Sequence, residues 1–280
     1  MSIEFQSRVK SYYQDLSEKE KALATYLLTE SSAASRQSIK EISNGIGISV
    51  ATTSRFAKKI GYKNFQDMKL AVSHASAEYN SFFSSIDESD SSITIADKTF
   101  ETSMRSLQAT RSMLNEKTLE QADQYLQKAH TFALFGLGGS SVITLEAYHK
   151  FLRTPLNCCY NQDFHMQLMQ AAKMTEKDVA LIVSHTGRNK EVLKIAQILK
   201  EKKIPIICIT SYPGSPLATL STVALVSIAE ETTYRPEAVS SMVAQLALVD
   251  SLFLIYANHQ KAGTLDTIKK IRNVIRDTRV

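Results

Sequence analysis

The fold of the N-terminal part of this chain is decided by residues 39–60, IKEISNGIGISVATTSRFAKKI. Ile42 and Ile46 lie one helical turn apart, and Phe56 and Ile60 repeat that spacing. Side chains four residues apart lie on the same face of a helix, so two helices with these apolar faces would share one small core. The stretch therefore predicts a pair of short helices that pack together.

The turn between the two helices carries the residues that a tight connection requires. Gly47 can adopt the positive φ that ends the first helix, and Ser49 can cap the second. Two helices joined in this way form a helix-turn-helix, whose second helix enters the major groove of DNA. An ordinary helical hairpin is the alternative interpretation. The short turn, the cap and the cationic outer face favour the helix-turn-helix.

The basic residues of the chain are concentrated around this motif. Residues 1–77 contain eleven Lys and Arg against seven Asp and Glu, a net of +4, whereas the remainder has 22 against 21, a net of +1. Such a basic footprint is what contact with a phosphate backbone requires. Arg55 would meet a base edge with Ser49 and Thr52 beside it, and Lys58 and Lys59 would meet phosphates. The full set of predicted DNA contacts is Ser49, Thr52, Arg55, Lys58, Lys59 and Lys63.

A length of 280 residues is sufficient for two domains. Residues 1–77 contain only helical patterns, including a capping box at Ser17 and Glu20, and are predicted to form the helix-turn-helix domain. Residues 78–95 are rich in Ser and Asp without sustained periodicity, which is typical of a linker. Residues 96–280 are predicted to form a second domain, whose first two helices precede and cover a sheet.

Beyond residue 129, apolar segments of strand length alternate with helical patterns. Strands that are apolar throughout indicate a parallel sheet covered by helices on both faces. The predicted architecture is an all-α domain followed by an α/β domain with a five-stranded parallel sheet of the flavodoxin-like type. The predicted strands are residues 131–135, 156–161, 178–184, 204–210 and 223–229.

Two loops at predicted strand ends carry the chemistry of phosphate binding. In an open parallel sheet, ligands bind beyond the carboxyl ends of the strands, where loops meet helix N-termini. The loop GLGGSS follows the first strand and SHTGRN follows the third, and both offer hydroxyls and flexible backbone to an anion. His165, which opens the helix after the second strand, and Arg188 are further candidates. The predicted ligand contacts are Gly138, Ser140, Ser141, Ser184, His185, Thr186, Gly187, Asn189 and His165.

A dinucleotide is the alternative ligand for the first loop. Its fingerprint needs a third small residue, where the chain has Ser141, and an acidic residue at the end of the second strand, where the chain has Asn161 and Gln162. The P-loop pattern is also absent, since neither Gly-Lys-Ser nor Gly-Lys-Thr occurs in the sequence. The sequence therefore predicts no cofactor.

The chain is predicted to be a cytoplasmic protein without a metal site. Its three cysteines, Cys158, Cys159 and Cys208, lack metal-ligand spacing and are interpreted as reduced core residues. The N-terminus has no basic segment followed by an apolar one, so no signal peptide is predicted. The longest apolar stretch, residues 246–257, contains Asp250 and is too short to span a bilayer.

The two loops resemble the landmarks of the SIS (sugar isomerase) domain, which are Gly-x-Gly-x-Ser after one strand and Ser-x-Ser-Gly-x-Thr after another. Ser140 and Ser184 match these patterns, and Asn189 stands where the family has Thr. Together with LSEKE, DFHMQ and AQLALVDSLF, they make nearly the whole chain resemble an RpiR-type (MurR/RpiR) transcriptional regulator. The chain departs from the family at Thr53 and Ser54, where aliphatic residues are usual.

The resemblance implies a regulator of carbohydrate metabolism genes that binds double-stranded operator DNA as a dimer or tetramer joined through the SIS domain. It implies control by a sugar phosphate, and amino-sugar phosphates are among the candidates. A symmetric dimer predicts a palindromic operator. SIS domains also occur in aldose-ketose isomerases, and the fused helix-turn-helix favours the regulator because an isomerase does not need one. The candidate acid and base groups of an isomerase would be His165, His185, Glu191 and Glu230.

Overall fold

The computed structural model describes residues 3–73, 86–87, 89–228, 239–276 and 278. The chain divides into two compact units. The first comprises Met1–Met113 and Ile228–Ser240, and the second comprises Leu114–Ser227 and Ser241–Val280.

The first unit is helical. The predicted capping box is confirmed, because Ser17 Oγ accepts from the Glu20 backbone N–H and Glu20 Oε2 accepts from the Ser17 N–H at 2.8 Å. The core of this unit includes Ile42, Phe56 and Ile60, as the helical spacing predicts. Its helices are α1 (Ile3–Tyr12), α2 (Glu18–Thr29), α3 (Ser31–Ala34), α4 (Ile39–Gly45), α5 (Val50–Lys59), α6 (Phe65–Ser73) and α7 (Ser92–Ser112).

Helix α7 groups with the first unit, whereas the sequence placed residues from 96 onward with the sheet. Its C-terminal end is held by hydrogen bonds between partners distant in sequence. Arg8 donates to the Ser112 carbonyl at 3.1 Å, and the Thr110 hydroxyl accepts from the Ile228 N–H at 2.8 Å. Contacts between residues so far apart in the chain produce no pattern in the local sequence, so the sequence did not predict them.

Half of the predicted linker, residues 78–85 and 88, lies outside the described residues. The predicted end of the linker at residue 95 is wrong, because α7 begins at Ser92 with Ser91 as its cap.

The second unit contains the predicted five-stranded parallel sheet, with strand order β2-β1-β3-β4-β5. This is the doubly wound, flavodoxin-like order, so the predicted fold class is confirmed. The strands are β1 (Thr131–Phe135), β2 (Asn157–Tyr160), β3 (Val179–Val183), β4 (Ile206–Thr210) and β5 (Val223–Val226). The helices are α8 (Glu116–Lys128), α9 (Gly139–Phe151), α10 (Phe164–Lys173), α11 (Lys190–Glu201), α12 (Pro216–Leu220), α13 (Val239–His259) and α14 (Lys261–Arg276).

Successive residues of a strand belong to two separate apolar cores, one on each face of the sheet. Phe132 and Leu134 pack with α8, α9 and α13, whereas Ala133 and Phe135 pack with α10, α11 and α12. Because both faces are covered, the strands are apolar at consecutive positions rather than at alternate ones. This arrangement leaves the strand ends and their loops as the accessible part of the sheet.

Helix α13 is long and apolar because it belongs to the sheet core. Its segment Ser240–His259 has the length and composition to cross a membrane, with a mean hydropathy of 1.5, and it exceeds the short apolar run picked out from the sequence. Leu248, Val249 and Leu252 of this helix are buried against the sheet. Packing in the core therefore accounts for the buried part of this segment, which is 39% of it.

The three cysteines are free thiols, and only Cys208 is a buried core residue as predicted, since Cys158 and Cys159 are partly exposed. Burial raises the pKa of Cys158 and of Cys208 to about 12, so both remain protonated and unreactive at neutral pH. Among the described residues, no group of His, Cys, Asp and Glu side chains is arranged to hold a metal ion.

Candidate functional site

Helices α4 and α5 form the predicted helix-turn-helix. Gly47 has a φ of 67°, and its N–H donates to the Asn44 carbonyl at 3.3 Å, which ends α4. Ser49 caps α5, since its hydroxyl accepts from the Thr52 N–H at 3.1 Å. The hydroxyls of Ser49 and Thr52 lie 2.9 Å apart on the exposed start of α5. The turn chemistry therefore matches the sequence prediction.

Two buried hydroxyls form a hydrogen bond between α4 and α5, beside their apolar core. Ser43 donates to the Ile39 carbonyl at 2.6 Å, and Thr53 Oγ1 lies 2.8 Å from Ser43 Oγ. Since the Ser43 hydrogen is already used, Thr53 is the donor of the second bond. Both residues are fully buried. The departure from the family at Thr53 thus concerns packing within the motif, and this side chain does not face outward.

The outer face of α5 presents Arg55 and Lys58 to solvent, three residues apart on one side of the helix. Lys63 is exposed just beyond the end of α5. Thr52 is half-buried at the start of the same helix. These residues form a basic surface beside a polar helix start, as contact with DNA requires.

Lys59 is engaged by the protein itself. Its ammonium lies 2.8 Å from Glu20 Oε2 and donates to the Asp15 carbonyl at 2.7 Å. Burial would raise the pKa of the Glu20 carboxyl, but hydrogen bonds from Lys59 and Ser17 outweigh it and hold this pKa below its usual value. The structure therefore gives Lys59 an internal contact that ties α5 to the start of α2.

The order of the strands places the two predicted ligand loops at a single crevice. Strands β1 and β3 are neighbours, and the chain leaves them toward opposite edges of the sheet. This is the topological switch point, where open α/β sheets bind ligands beyond the strand ends. Phe135 pairs in register with Ile182, so the loops at 136–141 and 184–189 start from adjacent strand ends.

The loop after β1 depends on its glycines and on Ser141. Gly138 has a φ of 55° and caps α9. A Cβ at Gly136 would lie 2.8 Å from the Ser140 carbonyl oxygen, so only glycine fits there. The Ser141 hydroxyl donates to the Gly138 carbonyl at 2.7 Å and holds the turn. Ser140 is half-buried, and within the described residues its hydroxyl has no hydrogen-bond partner.

The loop after β3 is a closed turn that leads into α11. Gly187 donates to the Ser184 carbonyl at 3.2 Å, and Thr186 Oγ1 accepts from the Arg188 N–H at 3.3 Å. Asn189 caps α11, since its Oδ1 accepts from the Val192 N–H at 3.0 Å. The predicted ligand role of Asn189 is thus restricted to its amide N–H groups. Ser184 is buried at the base of the turn.

The loop after β4 braces the loop after β3, which sequence reasoning missed. His185 Nδ1 lies 2.9 Å from Ser211 Oγ, and its carbonyl accepts from Ser211 N–H and the Thr210 hydroxyl. Ser211 Oγ lies 2.9 Å from Ser227 Oγ in the buried interior. Ser215 packs against Gly187 so closely that a Cβ at Gly187 would lie 2.2 Å from its Oγ. The signal available in the sequence was the hydroxyl-rich segment TSYPGSP after β4.

Helix α10 contributes one exposed and one buried residue to the crevice. His165 lies exposed in the first turn of α10. Gln167, which sequence reasoning missed, is fully buried and donates to the carbonyls of Gly136 and Asn161 at 3.0 and 2.8 Å. It thereby joins the ends of β1 and β2 and fixes the start of the glycine loop. The sequence signal was its place in DFHMQ.

The candidate acid and base groups of an isomerase lie in different surroundings. Glu191 is exposed in the first turn of α11, and Glu230 lies outside the described residues. His185 is bonded to Ser211 by its Nδ1. Among the described residues, the polar groups at the crevice are mainly hydroxyls, backbone groups and helix N-termini, which suit an anion.

Two family models match the chain. The helix-turn-helix domain of the rpiR family matches residues 3–79, and the SIS domain matches residues 125–255. The fold and the two sites therefore define a class of protein in which a DNA-binding helix-turn-helix is joined to a sugar-isomerase-type ligand domain.

Relatives along nearly the whole chain identify the family. The chain is 30% identical over 274 residues to YbbH of Bacillus subtilis (strain 168), an uncharacterized HTH-type transcriptional regulator, and the match covers 97% of each chain. It is 29% identical over 275 residues to the HTH-type transcriptional regulator HexR of Escherichia coli (strain K12), covering 97% of this chain and 94% of HexR. The chain belongs to the RpiR family of HTH-type transcriptional regulators. This membership supports a regulator over an isomerase.

A solved structure shares the fold along the full length. The NanR protein of Vibrio vulnificus, complexed with ManNAc-6P, is 24% identical, with a TM-score of 0.63 and coverage of 99% of each chain.

Proposed function

We propose that this transcriptional regulator binds operator DNA through α5 and that a sugar phosphate, bound at the β1 and β3 loops, modulates this binding. The observation that carries the proposal is that two loops rich in glycines and hydroxyls start from adjacent strand ends at one switch point. The NanR structure, which holds the phosphorylated amino sugar ManNAc-6P, supports an effector of the same chemical class.

The phosphate group is assigned to the β3 loop and the sugar to its surroundings. Ser184, Thr186 and the Gly187 backbone belong to the loop that leads into α11. The free N–H groups and the dipole at the N-terminus of this helix favour an anion. Ser140 presents its hydroxyl from the β1 loop. Ser141 and Gly138 shape that loop, and His165 lies at the rim on α10.

The DNA contacts are assigned to the exposed residues of α5 and its surroundings. Arg55 reads a base edge, with Ser49 and Thr52 at the helix start. Lys58 and Lys63 contact phosphates. Lys59 contributes mainly by holding α5 against α2, because Glu20 and the Asp15 carbonyl already bind its ammonium.

We propose a homodimer or tetramer joined through the SIS domain, acting on a palindromic operator in the cytoplasm. Helices α9 and α10 precede and follow β2, which is an edge strand of the sheet. An exposed apolar surface on such helices is suited to contact with a second copy. The exposed apolar side chains of these helices are Val142, Leu145, Met166 and Met169, with Leu152 at the end of α9.

Thermal unfolding of the full chain with a panel of sugar phosphates tests the effector. A ligand at 100 times its Kd adds about 2.7 kcal/mol of stability, which raises the Tm by roughly 5–10 °C. The unphosphorylated sugars should have no effect, because the β3 loop binds the phosphate. Ser184→Ala should remove the shift, whereas Thr267→Ala on α14 should leave it unchanged. A panel without any shift, or conversion of a sugar phosphate to its isomer, would contradict the proposal.

A further inference from the structure

The last turn of α7 holds the chain where it re-enters the helical unit. The chain leaves this unit after Met113, which caps the end of α7, and returns to it at Ile228, two residues after β5. The Thr110 hydroxyl binds both backbone groups of Ile228, because it accepts from the N–H at 2.8 Å and donates to the carbonyl at 3.3 Å. Thr110 and Ile228 are both buried. A displacement of Ile228 should therefore move the last turn of α7.

Arg8 joins the same turn of α7 to the C-terminal end of the recognition helix α5. Its Nη2 donates to the Ser112 carbonyl at 3.1 Å, and its Nη1 donates to the carbonyls of Gly61 and Ile60 at 2.6 and 3.4 Å. Ile60 is the C-cap of α5, where the helix dipole favours a cation. A Cβ at Gly61 would lie 2.6 Å from Arg8 Nη1, so glycine leaves room for the guanidinium. The end of α5 is thereby bonded to the turn of α7 that holds Ile228.

The residue before Ile228 is bonded through the sheet unit to the β3 loop. Ser227 Oγ lies 2.9 Å from Ser211 Oγ, which in turn lies 2.9 Å from His185 Nδ1. The amide of Gln245 also donates to Ser227 Oγ, at 3.5 Å. Ser227 and Ser211 are buried. Because a packed interior transmits strain, these side chains should move together when the β3 loop changes its contacts.

We propose that Thr110 and Arg8 are positioning residues that transmit the state of the β3 loop to the recognition helix. This inference rests on the function proposed above. A sugar phosphate at the β3 loop alters the hydrogen bond of His185, and the two buried serines pass the change to Ile228. Thr110 then shifts the last turn of α7, and Arg8 shifts the end of α5. Hydrogen-bond networks and helices of this kind carry energetic coupling between distant sites.

The bonded end of α5 is close to the residues assigned to DNA. Lys58 and Arg55 lie two and five residues before Ile60, within about one and a half helical turns. A shift of this end therefore displaces both side chains relative to the groove, and it does so without altering any residue that contacts DNA. Loss of Thr110 or Arg8 should accordingly remove the response to the effector, whereas the effector itself should still bind.

Operator titration of the full chain tests Thr110. The probe is ManNAc-6P or, if it leaves the Tm unchanged, the sugar phosphate of the panel that raises the Tm most. The probe should change the operator Kd of Thr110→Val less than about twofold, against about 5- to 150-fold for the unmodified chain, and should still raise the Tm of the variant. Thr110→Ser keeps the hydroxyl and should keep the full response. Thr99→Val is the matched control, because the Thr99 hydroxyl donates to the Ile95 carbonyl of the same helix at 2.8 Å.

Arg8→Lys and hydrogen exchange test the second connection. The variant keeps the positive charge, but a single ammonium lacks the guanidinium fork that reaches the carbonyls of both helices. In the unmodified chain the probe should change amide exchange at residues 106–113 and at residues 56–62. In Arg8→Lys the change at 106–113 should remain and the change at 56–62 should be lost. This measurement also decides the question if Thr110→Val does not fold.

Three results would overturn the inference, and they differ in what they mean for the proposed function. A full response in Thr110→Val, or an exchange change at 56–62 that persists in Arg8→Lys, would exclude this route and leave the proposed function standing. Loss of the thermal shift in Thr110→Val would show that Thr110 supports the effector site itself. An unmodified chain whose operator Kd no sugar phosphate alters would contradict the proposed function and this route together.

Discussion

At the scale of single residues, the polar pair Ser43–Thr53 joins the two helices of the helix-turn-helix beside their apolar core. Both hydroxyls are fully buried and each is hydrogen-bonded. A buried hydroxyl that loses its partner costs more than one removed together with its partner. The pair therefore specifies how α4 meets α5, and its two members should not contribute independently to stability.

Ser43→Ala should destabilise the protein by about 1–3 kcal/mol, because Thr53 then lacks its acceptor. Thr53→Val should cost about 1 kcal/mol, since Ser43 keeps its bond to Ile39. The double variant should be more stable than the sum of the two single effects predicts. Thermal unfolding of the four proteins measures this coupling. Strict additivity would contradict the hydrogen-bonded arrangement.

Because Glu20 forms an ion pair with Lys59, the stability of the helical unit should depend on pH in the acidic range. The folded pKa of Glu20 lies below its ordinary value of 4.5. The pair therefore contributes fully above about pH 4.5, and its contribution is lost as the pH falls through the folded pKa. Glu20→Gln keeps the capping hydrogen bond and removes the charge. It should lower stability by about 1 kcal/mol at pH 7.

The difference between Glu20→Gln and the unmodified protein should shrink as the pH falls below 4. Melting temperatures measured from pH 7 to pH 3 give this profile. Glu18→Gln is the matched control, because Glu18 is an exposed carboxylate of the same helix paired with Lys21. A difference that stays constant over this range would show that the charge of Glu20 has no part in the effect.

Lys58 and Lys59 are neighbours in sequence with different contacts, so they should respond differently. Lys58→Ala should weaken binding to all DNA sequences and reduce the salt slope by about one for each phosphate that the variant no longer neutralises. Lys59→Ala should chiefly lower the melting temperature. Arg55→Ala should weaken DNA binding, as Lys58→Ala does, and should also relax sequence specificity. Fluorescence anisotropy at several salt concentrations separates these effects, and an equal salt slope in all variants would contradict the assignment.

At the scale of elements, the conformation of the β3 loop requires Gly187, because the β4 loop packs directly against this residue. Gly187 has a φ of 61°, and an added Cβ would meet Ser215 Oγ at 2.2 Å. Gly187→Ala should therefore cost at least about 1–2 kcal/mol and abolish effector binding. Gly139→Ala is the matched control, because nothing lies within 4 Å of its added Cβ. Unchanged melting of Gly187→Ala would contradict the observed loop geometry.

The sequence was sufficient for those elements whose signals are local. Strand β1 begins and ends where its apolar run does, and the caps at Ser17 and Ser49 follow from residue type. Gln167 and Ser211 lie in the polar segments DFHMQ and TSYPGSP, but the residue types there do not reveal their roles, because they bond to groups 31 and 26 residues away. Whether Lys59 faces DNA or Glu20 likewise depends on how α2 packs on α5. The local sequence pattern therefore predicts helices, strands and caps. The contacts of individual side chains depend on how these elements pack in the folded protein.

At the scale of the whole molecule, this RpiR-family regulator combines a helix-turn-helix with a switch-point crevice built from hydroxyls, glycines and helix N-termini. Control of one by the other requires a coupling free energy between the two sites, typically about 1–3 kcal/mol. Linkage makes this coupling reciprocal, so operator DNA must change effector affinity by the same factor. The proposed control is therefore a ratio of two operator affinities, one with the effector and one without it.

The most direct measurement of that claim is operator affinity with and without the effector. A fragment selected from genomic DNA by the full-length protein would be titrated with and without saturating sugar phosphate, beginning with ManNAc-6P. We expect the effector to change the operator Kd of the unmodified protein about 5- to 150-fold. It should not change the Kd of Ser184→Ala, which should bind the fragment normally. An operator Kd that no sugar phosphate alters, while Arg55→Ala still abolishes specific binding, would contradict the proposed control.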